Sequence, residues 1–169
     1  AEQFPEEAFH TVDTGDLWRD RKGLAWLRPN SQKVWDYIVS IAHDAYAQGF
    51  DEINIDYVRF PSDGDLKRLD LSSFGASRVE TLTEFFTYLD KEIRGKGIPL
   101  SADIFGLTLS ATGDLGIGQE LEKIAPYVDY VCPMIYPSHF WEGSFGFAKP
   151  AEHPYEVISK SLSDGIAKL

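Results

Sequence analysis

Helical and β-type periodicity alternate strictly along this chain, and that order constrains the fold more than any other feature. Residues 31–48 carry Val34, Trp35, Ile38, Ile41, Ala42 and Ala45 at helical spacing, with Asn30 or Ser31 as cap and Gly49 as terminator. A short run follows in which Ile53, Ile55 and Tyr57 alternate with Asn54, Asp56 and Val58, stopping at Pro61. After a polar loop over 62–75, Ser77 and Glu80 form a capping box for a second helix, which carries Val79, Leu82, Phe86, Leu89 and Ile93 and is closed by Gly95 and Gly97. The run IPLSADIFG reads as a second strand, residues 120–125 as a short helix and YVDYVCPMIYP as a third strand. His153 and Pro154 open a last helix, with proline where its missing donor costs nothing.

Strands separated by helical crossovers of this length imply a parallel sheet with right-handed connections. An open doubly wound sheet and a closed (β/α) barrel both satisfy that order. A nucleotide-binding open sheet carries a Gly-rich turn after its strand, whereas the strand ends here read DYVRFP, DIFG and MIYP. The expected fold is therefore an α/β protein of the (β/α)8 TIM-barrel type. A full barrel takes about 250 residues, and the chain has 169. Residues 1–169 are accordingly read as one partial barrel domain. Segment 9–29, which contains WRDRKGLAWLRP, is expected to supply one more short strand ending near Trp26 and Pro29.

Composition narrows the partners. A hydrophobic content of 43% suffices for a single packed core. A net charge of −11 with no local cluster of basic residues would repel a phosphate backbone, which argues against nucleic acid. No run reaches the roughly 20 apolar residues of a membrane span. The acidic start AEQFPEEAFH lacks the pattern of a signal peptide and has no initiator Met, so the chain reads as a mature product or a fragment. Cys132 cannot form an internal disulfide and reads as a small buried thiol; the four histidines lack metal-ligand spacing, and no cofactor is expected.

The chemistry gathers at the strand ends, where barrel enzymes keep their sites. Period-two alternation places Asn54, Asp56 and Val58 on one face of the first strand, Ser101, Asp103 and Phe105 on one face of the second, and Cys132, Met134 and Tyr136 on one face of the third. With those faces inward, Asp56 and Asp103 meet at the mouth with Tyr136 beside them. Two carboxylates are what glycosidic cleavage needs: one protonates the departing oxygen while the other attacks the sugar or activates water. The structural alternatives are an Asp56–Arg59 ion pair that closes the barrel end, and an Asp103 that caps the Ser/Thr-rich loop after it. Trp26, Tyr57, Phe60, Phe105, Tyr136, Phe140, Trp141, Phe145 and Phe147 crowd the same region; flat rings suit the apolar faces of sugars and equally suit a core.

These residues carry a resemblance. GFDEINIDYVRFPSDG, SADIFG and DYVCPMIYPSHF, together with GLAWLRPNSQKVWDY and HPYEVISKSL, resemble a bacterial family of glycoside-hydrolase-type barrels known as a domain of unknown function, over nearly the whole chain. The resemblance implies a (β/α)8 barrel with strands before and after this segment, a carbohydrate substrate, and an extracellular or cell-envelope location. A fainter likeness to chitinase-type barrels matches Asp51 and Asp56 to the motif DxxDxDxE, but Asn54 replaces an aspartate and Val58 stands where the acidic Glu belongs; MIY echoes the chitinase MxY, which points to Met134 and Tyr136 at a sugar site. The KxDY strand of barrel galactosidases is similar at Asp56-Tyr57, with Asn54 in place of Lys.

The reading that results is a glycoside hydrolase acting on a polysaccharide or cell-envelope glycan. Asp56 is its expected nucleophile or base and Asp103 its acid. Trp26, Tyr57, Arg59, Phe105, Met134, Tyr136, His139 and Trp141 are the expected substrate contacts. A non-catalytic carbohydrate-binding barrel is the alternative, and a module that completes its barrel against another chain, through unpaired sheet edges, is the third.

Overall fold

The computed structural model describes residues 1–169. Its regular elements run α1 (Gln32–Ala47), β1 (Ile53–Ile55), α2 (Arg78–Glu92), β2 (Leu100–Phe105), α3 (Leu121–Ile124), β3 (Tyr130–Met134) and α4 (Pro154–Lys168). Local chemistry explains the helix ends. Ser31, not Asn30, caps α1: its hydroxyl oxygen accepts the Val34 N–H at 3.2 Å. Ser77 and Glu80 close a reciprocal box at the start of α2, and Gly97, with φ of +84°, lets the chain turn back toward β2.

The three strands are parallel in the order β1-β2-β3, with Asn54 beside Ser101, Asp103 beside Cys132 and Phe105 beside Met134. One face of the sheet is apolar. Ile55, Leu100, Ala102 and Ile104 pack there against Val39 and Ala42 of α1, Phe85, Phe86 and Leu89 of α2, and Leu121 and Ile124 of α3. At roughly 25 cal/mol per Å² of buried apolar surface, this contact is the main stabilising term. The opposite face carries Asn54, Ser101, Asp103, Cys132 and Met134, so the helices cover one side of the sheet only.

Two expectations change. Segment 9–29 does not add a strand to the parallel sheet. Its bridges are antiparallel, pairing Ala8 with Leu27, His10 with Leu17 and Arg19 with Ala25. Phe9 and Trp18 instead fill a second cluster with Phe60, Leu69 and Leu82, so the segment packs on the β1–α2 loop. The loop over 62–75 is correspondingly anchored: Trp18 Nε1 donates to the Asp65 carbonyl at 2.9 Å, and a side chain at Gly64 would strike the Trp18 ring. The alternation of the first strand also stops early. Tyr57 adopts a left-handed φ of +63°, which reverses the expected faces: Val58 turns toward the core and Tyr57 is left exposed.

His10 pins the start of this layer. Its two ring nitrogens each lie 2.8 Å from a carbonyl oxygen, of Gly15 and of Pro5. Carbonyls only accept, so both nitrogens must donate, and the ring binds best as imidazolium. These two backbone hydrogen bonds raise the His10 pKa above 6.5; burial and Arg28 oppose the rise, and Asp70 adds to it. A raised folded-state pKa means that the contribution is complete below about pH 6.5, the unfolded value, and is lost as pH climbs from there through the higher folded-state value. NMR titration of His10 should therefore give a pKa above that of a free histidine. Thermal melts should show the parent's small advantage over His10→Gln in mild acid disappearing in alkali; an advantage independent of pH would refute the clamp.

Candidate active site

Asp56 leaves β1 at its carboxyl end and lines a cleft of about 640 Å³ whose walls include Trp26, Trp35, Tyr57, Arg59 and Asp63. Tyr57 follows in its left-handed conformation, a strain of about 1–3 kcal/mol for a residue with a side chain. That turn swings the phenol over the mouth, where its ring centroid stands 6.2 Å from Trp26 and 6.4 Å from Phe105. Between the three rings lies the Arg59 guanidinium, 4.8 Å from the centroids of Trp26 and Tyr57 and 5.1 Å from that of Phe105. Cation–π attraction is strongest where water is excluded, and Arg59 is buried.

Arg59 does not pair with Asp56. Its Nη1 donates to the Phe60 carbonyl at 3.0 Å and the Ser62 hydroxyl at 3.1 Å, and Nη2 donates to the Tyr57 hydroxyl at 3.1 Å. The ion-pair alternative for Asp56 is thus not realised, and the arginine organises the aromatic wall instead. Nor does Asp103 cap the loop after β2. Its Oδ1 accepts from Asn54 Nδ2 at 3.1 Å, across the polar face of the sheet. Asp103 lies within β2, two residues before its end, whereas Asp56 directly follows the last residue of β1.

Other expected contacts divide into two groups. Trp26 and Phe105 each meet Tyr57 and Arg59, and Met134 stands beside Phe105 in register. Tyr136 and His139 form their own pair beyond β3, with centroids 5.1 Å apart, and Trp141 is 69% exposed in the following loop. Phe60 and Phe140 are buried and belong to packing. Cys132 is only half-buried; burial, with Asp103 and Glu52 adding to it, pushes its thiol pKa upward, so it stays protonated and unreactive.

Two structural supports have no sequence pattern that reveals them. Gln119 is buried and clamps the strand ends together, its Nε2 donating to the Val58 carbonyl at 2.8 Å while its Oε1 accepts the Phe105 N–H at 2.9 Å. Gly106 lets the end of β2 approach β3 closely, since a Cβ there would lie 2.6 Å from the Met134 carbonyl oxygen. The glycine is visible in SADIFG, but the backbone it must clear is not adjacent in sequence.

The site is thus a cleft with Asp56 and an aromatic wall at the carboxyl edge of a one-sided parallel α/β sheet. The chain belongs to the family described as "Putative glycosyl hydrolase domain", which matches it over residues 1–169. Among solved structures, it is similar to a hypothetical protein from Ruminiclostridium thermocellum ATCC 27405, at 37% identity and a TM-score of 0.54 over 60% of this chain and 50% of that one. It is also similar to the "putative sporulation-specific glycosylase ydhD" from Bacillus subtilis, at 19% identity and a TM-score of 0.54 over 83% of this chain and 41% of that one. A more distant likeness, with a TM-score of 0.49 and 14% identity, covers 81% of this chain and 37% of the catalytic domain 2 of an Ostrinia furnacalis group II chitinase. The chain thus spans about half the length or less of these structures. No curated protein has significant sequence similarity to it. No helix is long and apolar enough to cross a membrane.

Proposed function

We propose that this domain is part of a glycoside hydrolase that cleaves a polysaccharide or cell-envelope glycan, with Asp56 and Asp103 as its carboxylate pair. One observation carries the reading. The last pair that β1 and β2 form with each other is Ile55 with Ala102, so Asp56, just after β1, and Asp103, inside β2, are the residues that follow that pair on two adjacent parallel strands. Neighbouring strands lie about 4.8 Å apart, and glycosidases hold their carboxyls about 5–9.5 Å apart. Sugar would lie against Trp26, Tyr57 and Phe105, with Met134, Tyr136, His139 and Trp141 extending the surface past β3. Hydrolysis is the test. The full-length protein is expected to release reducing ends from bacterial peptidoglycan, chitin or a β-glucan; binding to one of these without release would favour a non-catalytic carbohydrate-binding domain.

The same reading makes residues 1–169 one part of a (β/α)8 barrel. Helical cover on a single face supports it, because an open doubly wound sheet is covered on both. The outer edges of β1 and β3 are unpaired. Along the β1 edge runs a groove lined by Ile38, Ile41, Ala42, Phe50 and Ile53, with Ile41 and Phe50 largely exposed. Unpaired edges flanked by apolar surface invite association with another chain. Light scattering should show the isolated 169-residue chain self-associating, and its melting temperature should lie below that of a version extended at both ends. A monomeric short form that melts with the longer one would overturn the partial-barrel reading.

A further inference from the structure

Asn54 departs from both strand motifs that the sequence echoes, and the structure places it on the edge strand β1, facing the polar side chains of the central strand β2. Its Nδ2 lies 3.0 Å from Ser101 Oγ and 3.1 Å from Asp103 Oδ1. Ser101, fully buried, donates its own hydroxyl hydrogen to Glu52 Oε1 at 2.5 Å. The hydroxyl of Ser101 is therefore an acceptor toward Asn54, and the carboxylate of Asp103 is an acceptor as well. Both hydrogens of one amide nitrogen are engaged, by two residues of the same face of β2. Turning the amide over would set its carbonyl oxygen against two acceptors. Its orientation is consequently determined by its neighbours, and Glu52 in turn orients the Ser101 hydroxyl.

We propose that Asn54 is a positioning residue: it holds the Asp103 carboxylate in the orientation the reaction needs, through a chain of hydrogen bonds anchored at Glu52. The inference rests on the glycosidase reading, and it adds a role for the residue that stands where the related motifs carry Asp or Lys. Asn54 is beside Ser101 in register, so reaching Asp103 requires its side chain to lean along the strands toward their carboxyl ends. Neither leucine nor aspartate supplies two donors there. Leucine has the size and no donor. Aspartate has the size and the wrong polarity, placing a second carboxylate against Asp103.

The experiment uses the full-length protein, with peptidoglycan, chitin and β-glucan as substrates, and compares the parent with Asn54→Leu and Asn54→Asp. Misplacing a reacting group by about 1 Å costs on the order of 100-fold in rate. Asn54→Leu is expected to lower kcat by about that factor, leaving KM within about threefold because the aromatic wall is untouched. Asn54→Asp should lose a similar factor at neutral pH and regain part of it in acid, where one of the facing carboxyls takes up a proton and donates it across the gap. Its pH–rate profile should therefore move to lower pH than the parent's, a change that loss of packing alone does not produce. A parent that is active, with Asn54→Leu within threefold of it or Asn54→Asp superimposing on its pH profile, overturns this role and leaves the glycosidase reading standing. A parent inactive on all three polymers overturns the glycosidase reading itself, and the role of Asn54 falls with it.

Discussion

Replacing Asp56 with asparagine in the full-length protein is expected to reduce glycan hydrolysis by about three powers of ten or more while leaving the fold intact. The loss follows from charge: an amide keeps the shape of the carboxylate but can neither attack a sugar carbon nor accept a proton from water. A factor of 1,000 corresponds to roughly 4 kcal/mol of barrier, the scale of removing one member of a catalytic unit. The fold should survive because the Asp56 side chain is exposed and Arg59 directs its hydrogen bonds elsewhere. Reducing-end assays beside thermal melts separate the two effects. Activity within a few-fold of the parent would assign Asp56 to structure, and a large fall in melting temperature would do the same.

Gln119→Leu is expected to be the most destabilising single change near the site. Leucine fills much of the same space yet supplies neither the acceptor for the Phe105 N–H nor the donor for the Val58 carbonyl. Each buried backbone group left without a partner costs about 1–3 kcal/mol, so the two together cost roughly 2–6 kcal/mol. For a domain of this size that lowers the melting temperature by roughly 4–24 °C. The effect should reach the site, because Gln119 ties the segment after β1 to the end of β2, and Tyr57, Arg59 and Phe105 are arranged by those two segments. A melting temperature within a degree or two of the parent's would mean that water replaces the amide and that the clamp has no structural weight.

The elements legible in the sequence are those whose causes are local. Ser77 and Glu80 announce the start of α2 because both halves of the box lie within one turn. The faces of β2 and β3 follow from period-two alternation, and the register confirms that Asp103 and Cys132, then Phe105 and Met134, share a side. The same rule fails after Ile55, because it presumes extended backbone and Tyr57 is left-handed. Segment 9–29 misleads for a different reason. Its apolar residues suit a strand, but Phe9 and Trp18 are taken up by Phe60 and Leu69 of the β1–α2 loop and Leu82 of α2, far along the chain.

What the sequence determined by itself is the order of helices and parallel strands, the delivery of Asp56 and several aromatic residues to strand ends, and the placing of Asp103 on the polar face of β2, since spacing and caps act within a few residues. What only the tertiary structure decided is how those groups are held. Arg59 sits among Trp26, Tyr57 and Phe105, Asn54 reaches Asp103, and Gln119 joins Val58 to Phe105. The partners in most of these contacts lie 33 to 61 positions apart in the chain. They meet because burying one apolar face of the sheet under the helices aligns the strands side by side, and no periodicity within a single strand records which residue of its neighbour will stand opposite.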